Sequence, residues 1–384
     1  MKLGLGLYRH TLKREYYDFA RQAGCTHVIA HLVDYFHHGD TNPRDNQPTG
    51  DQYEPWGVAG DPSRLWTVEE MKALRREIEA AGLTLAGIEN LDPAHWHDIL
   101  LDGPQRARHI ENVKTIVCNM GEAQIPVLGY NFSLAGVCGR VRRPIGRGGA
   151  TVLGMDGPAD KPLPNGMVWN MVYDTNAPAG DLAPVPREAM WDRLSRFLEE
   201  VVRVAERAGV TLAAHPDDPP LPTVRQQPRL IHQPDLYQRL IDAVPSANNA
   251  LEFCVGTLAE MTEGDIYEVV DRYSRQGKVC YVHLRNVTGK APHYHETFID
   301  DGDVDMSRVI AILQRNRFDG VIIPDHTPTM SCSAPWHSGM AHTLGFIAGV
   351  LATLQRQSTA DVIELSAPSS TGGKSSDRRG DTYV

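Results

Sequence analysis

The chain is poor in several features that would point to other classes of protein. It has 384 residues, six cysteines and a formal net charge of −10. Cys25, Cys118, Cys138, Cys254, Cys280 and Cys332 are widely spread with no CxxC pair, which excludes a disulfide framework and predicts free thiols in a reducing cytoplasm. No apolar run is long enough to span a bilayer, and Met1 to Leu7 is too short and Gly-rich for a signal peptide. Excess negative charge and the lack of a basic cluster interleaved with aromatics argue against nucleic acid and anionic membrane as partners. No G-x-S-x-G, P-loop or G-x-G-x-x-G occurs, and Gly4-Leu5-Gly6 lacks a third glycine.

What is present is an alternation. The spacing predicts strands at 2–7, 26–32, 83–88 and 125–130, then four more ending at His215, Cys254, His283 and Pro324. Helices are predicted between them: 13–23, 67–81, 105–121, 187–208, 234–244, 264–273, 305–316 and 339–356. Thr67 with Glu70 three residues on forms a capping box, and Asp305 caps another helix start. Eight such units predict an α/β fold, a (β/α)8 barrel occupying 1–357 as one domain. Residues 133–186 form an irregular, Gly- and Pro-rich insertion after strand four, with Arg140, Arg142, Arg143 and Arg147 inside it. Such a segment reads as a lid or an oligomer contact, so a homo-oligomer is expected. The tail 358–384 is Ser-, Gly- and charge-rich and reads as disordered.

The last four strands each end on a residue able to bind a metal: His215, Cys254, His283 and Asp325. In a parallel barrel these converge at one rim. Two imidazoles, a thiolate and a carboxylate suit Mn, Fe(II), Co or Zn better than Ca or Mg. A single histidine at a strand end is most simply a turn residue, and a single cysteine a small buried hydrophobe; four in succession favour a site. Arg285, two residues past His283, would suit a substrate carboxylate. His326, next to Asp325, could act as general acid or base. Asn131 and Glu89 end strands four and three and could line the opposite wall. His295 is a further substrate-site candidate. Asp217 and Asp218 read equally as supports of the ligands or as a loop cap, and Asp303 as a helix cap.

These strings resemble the mannonate dehydratase family, sugar-acid dehydratases on a xylose-isomerase-like barrel. The resemblance rests on five strings, namely His215-Pro216-Asp217-Asp218-Pro219-Pro220, Cys254-Val255-Gly256-Thr257, His283-Leu284-Arg285-Asn286-Val287, His295-Glu296 with Gly302-Asp303-Val304-Asp305-Met306, and Pro324-Asp325-His326. It implies that His215, Cys254, His283 and Asp325 hold a metal, usually Mn2+, with Fe2+, Co2+ or Mg2+ as alternatives. It implies a small-molecule sugar-acid substrate and loss of water from D-mannonate to give 2-keto-3-deoxygluconate. The chain also departs from the family. His337 stands near the place of a tyrosine thought to be catalytic, and Ile323 replaces an arginine before Pro-Asp-His. His326 is expected to take one acid/base role and His337 the other, and the departures point to an altered substrate. A metal-dependent sugar isomerase or epimerase, and a non-catalytic sugar-acid binding protein, are the alternatives.

Overall fold

The computed structural model describes residues 1–36, 47–48 and 55–366. His37 and His38, which follow the second strand, lie outside the described residues, as do 367–384 of the expected tail.

Eight parallel strands close into a barrel in sequential order. We label them β1 (Lys2–Tyr8), β2 (His27–His31), β3 (Thr84–Glu89), β4 (Val127–Tyr130), β5 (Thr211–Ala214), β6 (Asn249–Cys254), β7 (Val279–Leu284) and β8 (Val321–Pro324). The ring closes through Lys2 opposite Val321 and Gly4 opposite His27. The strand interior is filled by Ile29, Ala213, Tyr281, Val321 and Ile323. This is a packed core beneath the rim rather than a channel. A larger apolar cluster joins the outer strand faces to the helices, with Phe197, Leu198 and Val201 of the 22-residue helix Arg187–Ala208 among its members.

Helix boundaries follow local chemistry. Thr67 accepts from the Glu70 backbone while the Glu70 side chain reaches back, the expected capping box. Asp305 caps Met306–Arg315 as expected. Two short helices escape the sequence reading, Pro93–Leu101 and Val255–Glu260. The second follows Cys254 with no intervening loop, and it is too short for helical periodicity to show.

Residues 133–186 are more regular than expected. Arg140–Arg143 and Val152–Asp156 pair as a hairpin, and this docks onto a second hairpin, Asn286–Lys290 with His293–Thr297, that follows β7. The four strands form one antiparallel sheet over the C-terminal rim. Arginine side chains fasten the insertion. Arg229 Nη2 donates to the Gly136 carbonyl at 2.9 Å, and the buried Arg225 donates to the carbonyls of Lys161 and Pro162. The final helix spans Pro335–Ser366, so it starts before the expected 339 and runs into the segment read as tail. Among the described residues no helix is long and apolar enough to cross a membrane.

Candidate active site

The site lies where β5 to β8 end. His215 follows β5, its backbone N–H donating to the Tyr130 carbonyl at 3.0 Å. Cys254 is the last residue of β6 and pairs in register with His283 of β7. A donor atom from each of His215, Cys254 and His283 lies within 4.8 Å of the other two. Cys254 Sγ is 3.6 Å from Asp325 Oδ2. The four strand-end residues singled out by the sequence are therefore brought to one place.

Charge is concentrated there. Burial pushes the Cys254 thiol up, but Arg285 and the His215 and His283 imidazoles together bring it down to about 5. A thiolate at neutral pH follows, which is the ligand form. Burial opposes the protonated form of His215, yet Glu252 and Cys254 raise it to about 9. Asp325 is likewise held far below the usual carboxylate range, against the burial that raises it, by His326 and Arg285.

Two buried arginines form the base of the site. Arg285 lies 2.9 Å from Asp218, 3.1 Å from Glu260, 2.7 Å from Glu296 and 3.0 Å from Asp325. Its Nη2 also donates to the Thr257 hydroxyl at 3.0 Å. Gly256 is needed beside it, since a Cβ there would collide with the guanidinium. Arg140, carried in by the insertion, contacts both oxygens of Asp218 at 2.6 Å and Glu296 at 2.9 Å. Both arginine side chains have no exposed area. Arg285 thus corrects the sequence reading. Its charge is spent inside the protein on carboxylates, and it does not line the pocket as a substrate clamp.

His326 does line the pocket. Its Nδ1 is 2.8 Å from Glu296 Oε1, and Arg140 Nη1 donates to the same oxygen. A carboxylate only accepts, so the bond to Glu296 requires the proton on Nδ1, a nitrogen that Arg140 Nη1 also approaches at 3.1 Å, while Nε2 lies 3.7 Å from Asp325 Oδ1. Glu296 is held down to about 2, because His326, Arg285 and Arg140 outweigh the burial that raises it.

The remaining predictions divide. Glu89 and Asn131 line the same pocket, with Asn131 donating to Asn90 Oδ1 at 2.7 Å. His295 does not. It lies on the rim hairpin opposite Gly154 and faces a separate surface groove with Arg143 and His293. Neighbours on a strand point to opposite faces, so Glu296 turns inward and His295 outward. His337 also lies elsewhere. It sits in the first turn of the last helix and packs on Tyr16 and Phe19 of helix Arg14–Gln22, at centroid distances of 5.5 and 4.9 Å. That is the outer helix layer, so His337 cannot take the tyrosine's place in the pocket. Asp218 bridges the two arginines, while Asp217 accepts from the backbone of Leu230 and Ile231. Asp303 ties its loop to the Gly289 backbone, the structural reading.

The family model for D-mannonate dehydratase (UxuA) matches residues 23–152 and 180–360. The mannonate dehydratase of Streptococcus equi subsp. zooepidemicus is 32% identical over 279 residues, 68% of this chain and 75% of that protein. The chain belongs to the mannonate dehydratase family. It is accordingly an enzyme of the hydro-lyase class. The Geobacillus thermodenitrificans mannonate dehydratase is 30% identical over 292 residues, 68% of this chain and 76% of that protein. The crystal structure of mannonate dehydratase from Streptococcus suis serotype 2 superposes with a TM-score of 0.73 at 24% identity, over 99% of both chains. A D-psicose 3-epimerase from Clostridium cellulolyticum H10 shares the fold at TM-score 0.53 and 10% identity, over 93% of this chain and 99% of that one.

Several residues in and beneath this mannonate dehydratase-type site were not singled out as functional from the sequence. Glu252, in the middle of β6, is fully buried beside His283. Its position two before Cys254 puts it on the same strand face, which was a usable signal. His31 stacks on Tyr8 at 4.1 Å and approaches Glu89 at 3.5 Å. Arg140 had no local signal, because its partners are 78 and 156 residues away.

Another group of possible ligands, His97, Asp98 and His109, lies in the helix layer. His97 Nδ1 is 2.7 Å from the Pro93 carbonyl, and His109 Nδ1 accepts the Asp98 backbone N–H at 3.1 Å. These bonds explain the cluster as a helix-to-helix tie.

Proposed function

We propose that this chain is a divalent-metal-dependent dehydratase of a sugar acid whose preferred substrate differs from D-mannonate. The observation that carries the metal reading is the convergence of His215, Cys254 and His283, with Asp325 3.6 Å from the sulfur. Buried atoms with no hydrogen-bond partner, His283 Nε2 among them, also fit an ion. We assign His215, Cys254, His283 and Asp325 as its ligands. Mn2+ is the expected ion; Fe2+ or Co2+ also suits a mixed N, S and O set, and Mg2+ suits it least. When bound, the ion supplies Lewis acidity to the substrate's carboxylate and hydroxyl oxygens.

The chain's own groups account for the rest. The C–H bond next to the carboxylate breaks and its proton passes to a base. The C–O bond at the β carbon breaks as an acid protonates the departing hydroxyl, which leaves as water. The resulting enol becomes the α-keto acid. His326, oriented by Glu296, moves one of these protons through Nε2. Glu89 and Asn131 hold substrate hydroxyls at the opposite wall.

Two features support a different substrate. Ile323 is packed in the barrel interior where the family carries an arginine. Among the described residues lining the pocket there is no lysine or arginine, whereas Tyr8, Tyr35, Trp56 and Trp169 form an aromatic wall. A related acid, or a less charged sugar derivative, fits such a surface better. The homo-oligomer expected from the insertion belongs to this proposal, and sedimentation analysis reads it directly.

The test is a panel of sugar acids, assayed for α-keto acid release, with metal content measured in parallel. Best turnover of D-mannonate would remove the substrate claim. Isomerised sugar without any keto acid would favour the epimerase alternative. Stoichiometric metal in a Cys254→Ser, His283→Ala double variant would remove the metal site.

A further inference from the structure

Beneath the four assigned ligands lies a carboxylate that the mechanism leaves unused. Glu252 has no exposed area, and its carboxylate sits beside the Tyr281 hydroxyl. Its Oε1 lies 3.1 Å from His283 Nε2 and 3.9 Å from His215 Nε2. On the other side Glu89 Oε2 lies 3.3 Å from His283 Nε2. Glu89, Glu252 and His283 form a donor group of their own within 4.8 Å, and it shares His283 with the first. The chain makes room for this arrangement. Any side chain at Gly129 would run into the Tyr281 hydroxyl and the Glu252 carboxylate.

A fully buried carboxylate is costly as an anion even beside one hydroxyl, so a positive charge close to it is favourable. His283 cannot supply that charge while its Nε2 lone pair faces an ion. Two donors each about 2.1 Å from one ion and at right angles lie about 3 Å apart. The separation of Glu252 Oε1 and His283 Nε2 matches that spacing. Glu89 lines the open pocket and faces His31 at 3.5 Å, whereas Glu252 lies beneath it on the strand that carries Cys254, which makes Glu252 the carboxylate nearer the ligand set from the interior.

We propose that Glu252 is a fifth protein donor to the divalent ion, reaching it from the barrel interior, and that this oxygen biases the site toward Mn2+ over Zn2+. The proposal rests on the metal reading above. A fifth donor exceeds the tetrahedral set that Zn2+ prefers, and an additional hard oxygen suits Mn2+.

The experiment titrates Mn2+ and Zn2+ into the metal-stripped full chain. Wild type, Glu252→Gln and the Cys254→Ser, His283→Ala double variant are compared. Free Mn2+ is followed by electron paramagnetic resonance, Zn2+ by a competing chelator, and the fold by circular dichroism. The expected result is a loss of Mn2+ affinity of roughly ten-fold or more in Glu252→Gln, with a smaller loss for Zn2+. An unchanged Mn2+ affinity in Glu252→Gln, with binding abolished in the double variant, overturns the proposal and leaves the four-ligand site standing. Equal losses for both ions overturn the claim on metal choice. Wild-type binding by the double variant would instead sink the metal reading itself. If Glu252→Gln does not fold, a crystal structure of the wild-type chain with Mn2+ decides. An anomalous peak coordinated by a Glu252 oxygen supports the proposal, and a peak held without it overturns the proposal.

Discussion

At the scale of single residues, the site depends on charges that cannot reach water. Arg285 balances Asp218, Glu260, Glu296 and Asp325 in a space closed to solvent. Removing one partner of a buried ion pair strands the others, at a cost of about 3–5 kcal/mol. Arg285→Met is therefore expected to lower the urea midpoint strongly and to reduce metal content. A stable Arg285→Met protein with full metal content and only a raised KM would restore the substrate-clamp reading. His337 gives the opposite expectation. It packs between aromatic side chains of the outer layer. His337→Phe should leave kcat/KM within about two-fold of wild type, since surface and outer-layer changes away from special features act weakly. A loss of a hundred-fold or more would show that the residue reaches the chemistry.

Among the structural elements, the rim hairpin after β7 is the clearest device. It presents Glu296 to His326 Nδ1 while its neighbour His295 faces outward. Glu296→Gln keeps the shape but weakens the hold on the imidazole. The expected result is a fall in kcat of roughly ten- to a hundred-fold with KM little changed, a size typical of a lost orienting partner. An equal change in KM and none in kcat would assign Glu296 to substrate contact instead. A second element-scale effect is acid sensitivity where helix Pro93–Leu101 meets helix Arg106–Glu122. Burial pushes His109 down to about 4, and His97 is lowered too. The depressed value means that the unfolded chain binds the proton more readily. Stability contributed by a neutral His109 is complete above about pH 6.5, the unfolded value, and is lost as pH falls toward 4. Thermal unfolding from pH 7 to 4 should show this slope, and His109→Gln should flatten it. Parallel pH profiles of Tm for the two proteins would disprove the assignment.

For the whole molecule, the ion and the fold should be linked. A ligand that binds only the folded chain stabilises it by about 2.7 kcal/mol at a hundred times its Kd. Stripping the metal with a chelator is thus expected to lower Tm, and restoring Mn2+ to return it; identical Tm values would argue against any tight ion. The sequence by itself determined the barrel and the four strand-end residues. Strand and helix periodicity is local, and a parallel barrel brings all its strand ends to one rim, so His215, Cys254, His283 and Asp325 could be placed from their spacing. It also determined the capping residues Thr67 and Asp305, whose bonds span three residues. What it could not determine is which charged residues face inward across long separations. Arg140 meets Glu296 from 156 positions away, and His337 turns onto an outer helix rather than the pocket. Only the tertiary structure decided these, because whether a side chain is a site residue or packing depends on which distant elements surround it.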